Sequence, residues 1–124
     1  MKRIISFFEI PAADFYRAVD FYQTIFNVKM FVMDCEIEKM AFFPEEEDGV
    51  CPGAISYSPY IQPTSEGGIL LSLNIDDMEK GLSLVEKNGG KVIIPKTKIE
   101  AENRGYFSVF TDSEGNKMGF YSDK

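Results

Sequence analysis

The sequence contains the same order of strand and helix signals twice, and this duplication most constrains its fold. The first copy opens with "SFFEIPAADFYRAVDFYQTIFN" at residues 6–27 and the second with "ILLSLNIDDMEKGLSLVEKNGG" at residues 69–90. In each copy an alternating apolar stretch is followed by an aspartate and then by apolar residues at helical spacing. Asp77 follows Asp14 by 63 positions. Because two copies are too few for a solenoid, we expect two modules that pack on each other.

The first copy predicts one strand, one helix and three further strands. Alternation gives a strand over residues 4–10, which Pro11 ends because proline cannot donate to a ladder. Asp14 occupies an N-cap position, and the apolar spacing after it predicts a helix over about residues 15–26. The stretches "VKMFVMD", "EKMAFFP" and "GAISYSP" predict short strands separated by turn or acidic residues. The first module is therefore β-α-β-β-β.

The second copy repeats this order. The stretch "ILLSLNI" predicts a strand, Asp77 caps a helix over about residues 78–87, and "NGG" supplies a glycine for the end of that helix. The stretches "KVIIPK", "GYFSVFTD" and "NKMGFYS" predict three more strands. A length of 124 residues suits one domain. We therefore expect a single α+β domain over residues 1–124, with module one at about 1–60, a connector at about 61–67 and module two at about 68–124.

Each predicted sheet has one face for its helix and a second face left over. Alternation predicts that one set of side chains faces the helices: Phe8 and Ile10 of the first strand and Ile69, Leu71, Leu73 and Ile75 of the fifth. The other face carries Phe7, Glu9, Leu70, Ser72 and Asn74. This mixture of apolar and polar groups suits a ligand cleft better than a dry core. We expect two curved mixed sheets whose remaining faces enclose a cleft.

Charge and composition narrow the class of partner. A net charge of −7 repels phosphate backbones, so we expect no nucleic-acid binding and a cationic or neutral small ligand. The apolar runs are far shorter than the roughly 20 residues of a membrane helix, and the N-terminus lacks the apolar core of a signal peptide. Cys35 and Cys51 form no metal-binding or redox motif. These features predict a cytoplasmic protein with reduced thiols and no membrane association.

Three stretches together resemble the vicinal oxygen chelate superfamily, which includes glyoxalase I, extradiol dioxygenases, fosfomycin-resistance enzymes and bleomycin-resistance proteins. They are "FFEIPAADFYRAVDFYQTIF", "LSLNIDDMEKGLSLVEKNGGKVIIPKT" and "GYFSVFTDSEGNKMGFYS", and they extend over essentially the whole chain. The last resembles the family's closing strand, "D-x-E-G-N" turn and final strand. The resemblance implies the paired β-α-β-β-β modules of the glyoxalase/bleomycin resistance-like fold and, usually, a homodimer.

The resemblance also implies a metal ligand on the first and last strand of each module. These positions fall on Phe7, Ser56, Leu70 and Gly119, with the two pairs again 63 positions apart. Phenylalanine, leucine and glycine offer a divalent metal no side-chain donor, and a lone serine hydroxyl is a poor ligand. We therefore expect no metal and no cofactor. The family's glyoxalase, dioxygenase and fosfomycin-transferase chemistries need a Lewis acid, so these residue types argue against each of them.

The candidate ligand-binding residues lie on the left-over faces. Glu9 shares its side with Phe7, where it would serve as a base or as an anion for a cationic ligand, or else as a structural, hydrogen-bonded glutamate. Tyr121 lies two residues after Gly119, where it would stack on a ligand or occupy an amphipathic edge. The full predicted set is Phe7, Glu9, Ser56, Leu70, Ser72, Gly119 and Tyr121.

Three functions stay open. The favoured one is a metal-free small-molecule binding protein resembling the bleomycin-resistance branch, with a cationic or aromatic ligand in a dimeric cleft. The second is a metal-dependent lyase or isomerase resembling glyoxalase I, which would have to use carboxylates such as Glu9, Glu36 or Glu66 because the chain has no histidine. The third is a dimerising interaction or regulatory subunit. No catalytic residue is assigned, and the connector is long enough for the modules to pair within a chain or to swap between chains.

Overall fold

The computed structural model describes residues 4–100 and 105–124. Two four-stranded sheets each carry one helix, which confirms the predicted α+β order of two β-α-β-β-β modules. In chain order the elements are β1 (Phe8–Pro11), α1 (Phe15–Phe26), β2 (Phe31–Asp34), β3 (Lys39–Phe42), β4 (Gly53–Tyr57), β5 (Leu71–Asn74), α2 (Met78–Lys87), β6 (Lys91–Lys98), β7 (Tyr106–Thr111) and β8 (Lys117–Ser122).

Both sheets are mixed and have the same topology. The strand orders are β1-β4-β3-β2 and β5-β8-β7-β6. In each sheet the first strand of the module pairs in parallel with the last, and the other pairs are antiparallel. The helix supplies the crossover that a parallel pair requires. The first and last strands of each module are therefore neighbours, so side chains on the two strands can share one outer face.

Both helices begin where the sequence predicts. The carboxylate of Asp14 accepts from the Arg17 amide at 3.2 Å, and that of Asp77 accepts from the Lys80 amide at 3.1 Å. Each cap satisfies an amide that has no partner within its helix. The helices have 12 and 10 residues, and within residues 4–100 and 105–124 no helix has the length and apolar character needed to cross a membrane.

One apolar core joins the two modules. Helix α1 packs on α2, and buried aromatic side chains of both modules belong to the same cluster. The ring of Phe26 on α1 lies edge-on to that of Phe120 on β8, with 6.2 Å between centroids. The helix-facing sides of both sheets thus contribute to this core, and the two modules of this chain pack on each other.

A turn between β7 and β8, residues 112–116, ties module two to module one. The buried carboxylate of Asp112 accepts from the Tyr22 hydroxyl at 2.7 Å and from the side-chain amide of Asn116 at 3.0 Å. The same amide donates to the Pro11 carbonyl at 2.7 Å. Buried polar groups cost stability unless they are paired, so this network favours the docked arrangement of the modules.

Glu114 of the same turn binds the start of α1. Its carboxylate accepts hydrogen bonds from the amides of Ala13 at 2.9 Å and Asp14 at 2.6 Å. The Arg17 guanidinium donates to both carboxylate oxygens, at 2.7 and 3.0 Å. Two-point guanidinium–carboxylate contacts are strong because both donors are aligned with both acceptors. The turn therefore supplies an anion at the N-terminal end of α1, where the helix dipole favours negative charge.

Two details of the first strands differ from the sequence prediction. Strand β1 begins at Phe8 and includes Pro11, which pairs in parallel with Ser56; proline is tolerated because β1 lies at the sheet edge. Ile69 was predicted to face a helix but is 95% exposed, because Gly67 and Gly68, both with positive φ, direct the chain away before β5 begins. Phe8, Ile10, Leu71, Leu73 and Ile75 pack in or against the core as predicted.

Candidate ligand-binding site

Glu9 and Ser56 form the best-defined polar contact on the outer face of module one. The Ser56 hydroxyl, 2% exposed, donates to Glu9 Oε1 at 2.6 Å. Glu9 itself is exposed, because β1 is an edge strand and its outer side is uncovered in this chain. Among the described residues the Glu9 side chain has no other hydrogen bond or ion pair. Its second oxygen is available to a ligand.

This pair lies in a cavity of about 170 Å³, which we call the Glu9 hollow. Its lining comes from β1, β3, β4 and the start of the connector: Glu9, Glu38, Lys39, Met40, Ser56, Tyr57, Ser58, Tyr60 and Ile61. Lys39 is already engaged, since its ammonium lies 3.0 Å from the Asp34 carboxylate and 5.8 Å from the centroid of the Tyr57 ring. The hollow therefore combines an anchored carboxylate with two tyrosines and has negative net charge.

An aromatic row borders the Glu9 side of the same face. Phe7 lies one residue before β1. The centroid of its ring is 6.1 Å from that of Phe42, and the ring centroid of Phe42 is 6.3 Å from that of Phe31. Phe31 and Phe42 are paired across β2 and β3, and Ala41, beside Phe42, is buried in the core, so the row is on the side away from the helix. Sequence reasoning named Phe7 but missed Phe31, whose position depends on cross-strand register and not on local pattern.

Ser72 and Gly119 are brought together on the outer face of module two. They are register partners on β5 and β8, and a Cβ added at Gly119 would lie 2.7 Å from Ser72 Oγ. No side chain fits at position 119 unless Ser72 moves. Leu70 lies just before β5 and is half-exposed. Tyr121 donates to Asp123 at 3.1 Å and lines a separate cavity of about 290 Å³ near the C-terminus.

The predicted residues thus fall into two groups, one on each module. The Glu9 hollow is lined by module one and the connector, while Ser72, Gly119 and Tyr121 belong to module two. A cleft shared by both faces stays a prediction. Lys39 and Glu38, which the sequence analysis did not select, line the hollow because β3 lies beside β4. A prediction that β3 pairs with β4 would have placed both residues beside Ser56 and Tyr57.

Strand register changes one equivalence between the modules. Glu9 lies opposite Ala54 in the parallel β1–β4 pair, and Ser72 lies opposite Gly119 in β5–β8. The first strands are 63 positions apart as predicted, but the last strands are 65 apart, so Ala54 and not Ser56 is the counterpart of Gly119. Module two has two more residues between its paired strands. A shift of two residues leaves the side chains on the same face.

Two carboxylates of the β7–β8 turn have shifted pKa values. Burial raises the pKa of Asp112, although donors from Asn116 and Tyr22 oppose the rise. Burial alone would also raise the pKa of Glu114, but the bonds from Arg17 and the Asp14 amide bring it below 4.5. Because these groups are engaged in bonds between the modules, their shifts reflect structural roles.

Comparison with known proteins decides the family. The family model of the Glyoxalase/Bleomycin resistance protein/Dioxygenase superfamily matches residues 4–120. The chain belongs to this superfamily. A "Glyoxylase-like domain-containing protein" from Didymella fabae is 31% identical to it over 117 residues, which cover 90% of this chain and 88% of that relative.

Solved structures share the superfamily fold with this member. Glyoxalase I from Zea mays superposes with a TM-score of 0.73 at 13% identity, covering 95% of this chain and 45% of the maize protein. The chain thus spans just under half of that enzyme's length. A glyoxylase/bleomycin resistance protein/dioxygenase domain from Frankia sp. EAN1pec gives a TM-score of 0.69 at 13% identity, with 100% of both chains covered. At these identities the likeness shows the fold alone.

The superfamily's metal positions do not fit a metal in this member. The family resemblance places Phe7, Leu70 and Gly119 there, and the register gives Ala54 as the counterpart of Gly119, with Ser56 two residues further along β4. None of the first four carries a donor atom in its side chain. Over residues 4–100 and 105–124, no three His, Cys, Asp or Glu side chains are grouped to hold a metal ion, and the chain has no histidine. Glu9, Glu36 and Glu66 belong to no such group among these residues.

Proposed function

We propose that this superfamily member binds a small cationic, planar organic molecule in the Glu9 hollow without a metal ion. The observation that supports this most is the Glu9–Ser56 pair, in which a buried hydroxyl holds an exposed carboxylate at 2.6 Å beside Tyr57 and Tyr60. A carboxylate fixed in one orientation accepts two parallel N–H donors from a planar cation. Exposed tyrosine rings add stacking and cation–π attraction.

The charge distribution supports a cation over an anion. The chain carries a net charge of −7, and Lys39, which lines the hollow, is already paired with Asp34. An acidic surface raises the local concentration of cations and repels anions, most strongly at low salt. A neutral aromatic compound would retain the stacking on tyrosine but lose the attraction to Glu9, so charge should decide affinity.

Binding of benzamidine, compared with its uncharged isostere benzamide, tests the proposal. We expect isothermal titration calorimetry to give benzamidine at least about tenfold higher affinity, in the range of one charge-assisted hydrogen-bonded contact. Glu9→Gln should abolish the difference between the two compounds. Glu86→Gln, which removes an exposed carboxylate from α2, is the matched control and should behave as wild type. Equal affinities for amidine and amide, or an unaffected Glu9→Gln variant, would contradict the proposal.

We also propose that the protein is a homodimer, and the exposed aromatic row of module one favours this second role. Phe31 is 68% exposed and continues through Phe42 to Phe7. Monomeric proteins rarely expose contiguous apolar patches without a partner. Sedimentation equilibrium should give a dimer for wild type and a lower association constant for Phe31→Ser. A monomer at all concentrations would count against dimerisation and against an interaction or regulatory role.

The two free cysteines support a proposal for the cellular compartment. Cys35 and Cys51 are both free thiols, Cys35 being exposed. Exposed thiols persist in reducing compartments, so we propose the cytoplasm. Alkylation with iodoacetamide in unbroken cells would label Cys35, whereas an oxidised thiol would stay unlabelled until a reductant was added.

A further inference from the structure

We infer that the ligand of the Glu9 hollow is a cation that also carries an apolar tail, and that the tail lies across the β2–β3 hairpin. The inference rests on the proposed function and extends it by naming the ligand class. Its starting point is size: about 170 Å³ is small beside the pockets that enclose drug-sized molecules. A ligand contained in this hollow would be the size of a single ring. A larger ligand would extend beyond it.

A second cavity adjoins the first along the hairpin. We call it the hairpin hollow; its volume is about 550 Å³, and its lining is Met33, Cys35, Glu36, Ile37, Glu38, Met40 and Tyr60. Glu38, Met40 and Tyr60 line both hollows, so the two lie next to each other. Strand pairing explains why: Met33 lies opposite Met40, and Met40 lies opposite Ser56, so one cross-strand row connects the hairpin to the Glu9–Ser56 pair.

The floor of the hairpin hollow is apolar and exposed. Met33 is 46% exposed and Ile37 is 69% exposed. Methionine side chains adapt to irregular shapes because they are unbranched and polarizable. Covering them with an alkyl or aryl group removes apolar surface from water on both partners. The hollow therefore suits a flexible tail of loosely defined shape.

The rim of the same hollow is acidic, which selects the head group. Glu36 and Glu38 have no counter-ion among the residues that the structure describes. The nearby Lys39 forms its ion pair with Asp34. Glu36 and Glu38 line the hairpin hollow and Glu9 lines the adjoining one, so three carboxylates flank the two hollows. A fatty acid or another anionic amphiphile would meet repulsion at every head-group position, whereas an amidinium or ammonium is attracted. The occupant is an organic monocation with an apolar tail.

A tail added to benzamidine tests this. We expect 4-butylbenzamidine to bind wild-type protein at least about tenfold more tightly than benzamidine, which is less than full burial of four methylene-sized groups would give. Ile37→Ser should remove this gain and leave benzamidine affinity unchanged. Ile93→Ser, at an exposed isoleucine on β6 of module two, is the matched control and should keep the full gain. Both positions are exposed, so neither change should disturb folding.

The outcomes separate the inference from the proposed function. If benzamidine binds through Glu9 but the butyl group adds nothing, the inference is overturned and the proposed function stands; a hairpin covered by a second copy of the chain would give this result. If the gain survives Ile37→Ser, the tail lies elsewhere and the inference is again overturned. If neither compound depends on Glu9, both proposals fall.

Discussion

At the residue scale, Gly119 marks a point where two strands leave no room for a side chain. Its φ is not positive, so alanine is conformationally allowed and steric contact with Ser72 decides the outcome. We expect Gly119→Ala to destabilise the protein by about 1 kcal/mol, the low end of overpacking costs, because the hydroxyl of the exposed Ser72 can rotate away. Urea unfolding of the single and double variants would show a smaller cost in a Ser72→Gly background, because the two changes couple.

The same two variants also test a second cause of the destabilisation, which is contact with β7. The added methyl group would also lie 3.3 Å from the backbone carbonyl oxygen of Ser108, which Ser72→Gly does not relieve. An undiminished cost in the double variant would assign the strain to β7 and not to Ser72. Either way, a long metal-binding side chain at position 119 would require rearrangement of its neighbours.

Tyr22 is the residue whose hydroxyl most directly joins the modules. It is fully buried, and Tyr22→Phe would keep its ring while removing a donor from the buried Asp112 carboxylate. We expect a loss of about 1–3 kcal/mol in the free energy of unfolding at neutral pH, because the carboxylate loses a partner. The loss should be smaller in acid, where Asp112 is protonated and needs fewer donors.

The control for this prediction is Tyr16→Phe. Tyr16 also donates to an aspartate, Asp34, but it is exposed, so water replaces the lost partner and the change should stay within about 0.5 kcal/mol. Equal effects of the two substitutions in urea unfolding would show that burial of the Tyr22–Asp112 bond adds nothing.

At the element scale, the β7–β8 turn makes module docking depend on pH. The pKa of Glu114 is below 4.5 in the folded chain, so its contribution is present at neutral pH and is lost as pH falls through the folded pKa. Asp112 acts in the opposite sense: its pKa is raised, so its contribution falls as pH rises from the unfolded toward the folded value. The two effects partly cancel in the wild type.

Glu114→Gln isolates the first of these effects. We expect the variant to be less stable than wild type at neutral pH and the difference to shrink as pH falls below 4.5. Chemical denaturation at a series of pH values measures it, with Glu86→Gln as a surface control. A difference that stayed constant with pH would mean that the Glu114 charge does not contribute to docking, and that shape and neutral hydrogen bonds suffice.

The elements themselves were largely predictable, but their long-range contacts were not. Asp14 and Asp77 fixed both helix starts because capping is local chemistry. A constant offset of 63 positions did not hold for the last strands of the modules. Module two is longer between its paired strands, so Ala54 is the counterpart of Gly119. The turn holding Glu114 was expected as a hairpin turn, yet its carboxylate binds amides about 100 positions away, and no local pattern signals such a contact.

At the scale of the whole molecule, the contacts that hold the fold and the proposed ligand site lie on different surfaces. The packing between modules comes from the helix-facing core and the β7–β8 turn, and neither contributes to the Glu9 hollow. The outer faces are consequently free to vary without loss of the fold. This separation explains how a chain without histidine can keep the superfamily architecture while its metal positions hold side chains that carry no donor atom.

The last prediction concerns metal ions and the whole fold. Thermal unfolding of chelator-treated protein should show no saturable shift with nickel, zinc, manganese or iron(II), because the residues at the metal positions offer no donors. A site filled at about 100 times its dissociation constant would stabilise the fold by roughly 2.7 kcal/mol, a shift of several degrees for a domain of this size. A saturable shift with one metal would instead revive the lyase or isomerase alternative, and its loss in Glu9→Gln would identify that carboxylate as a ligand.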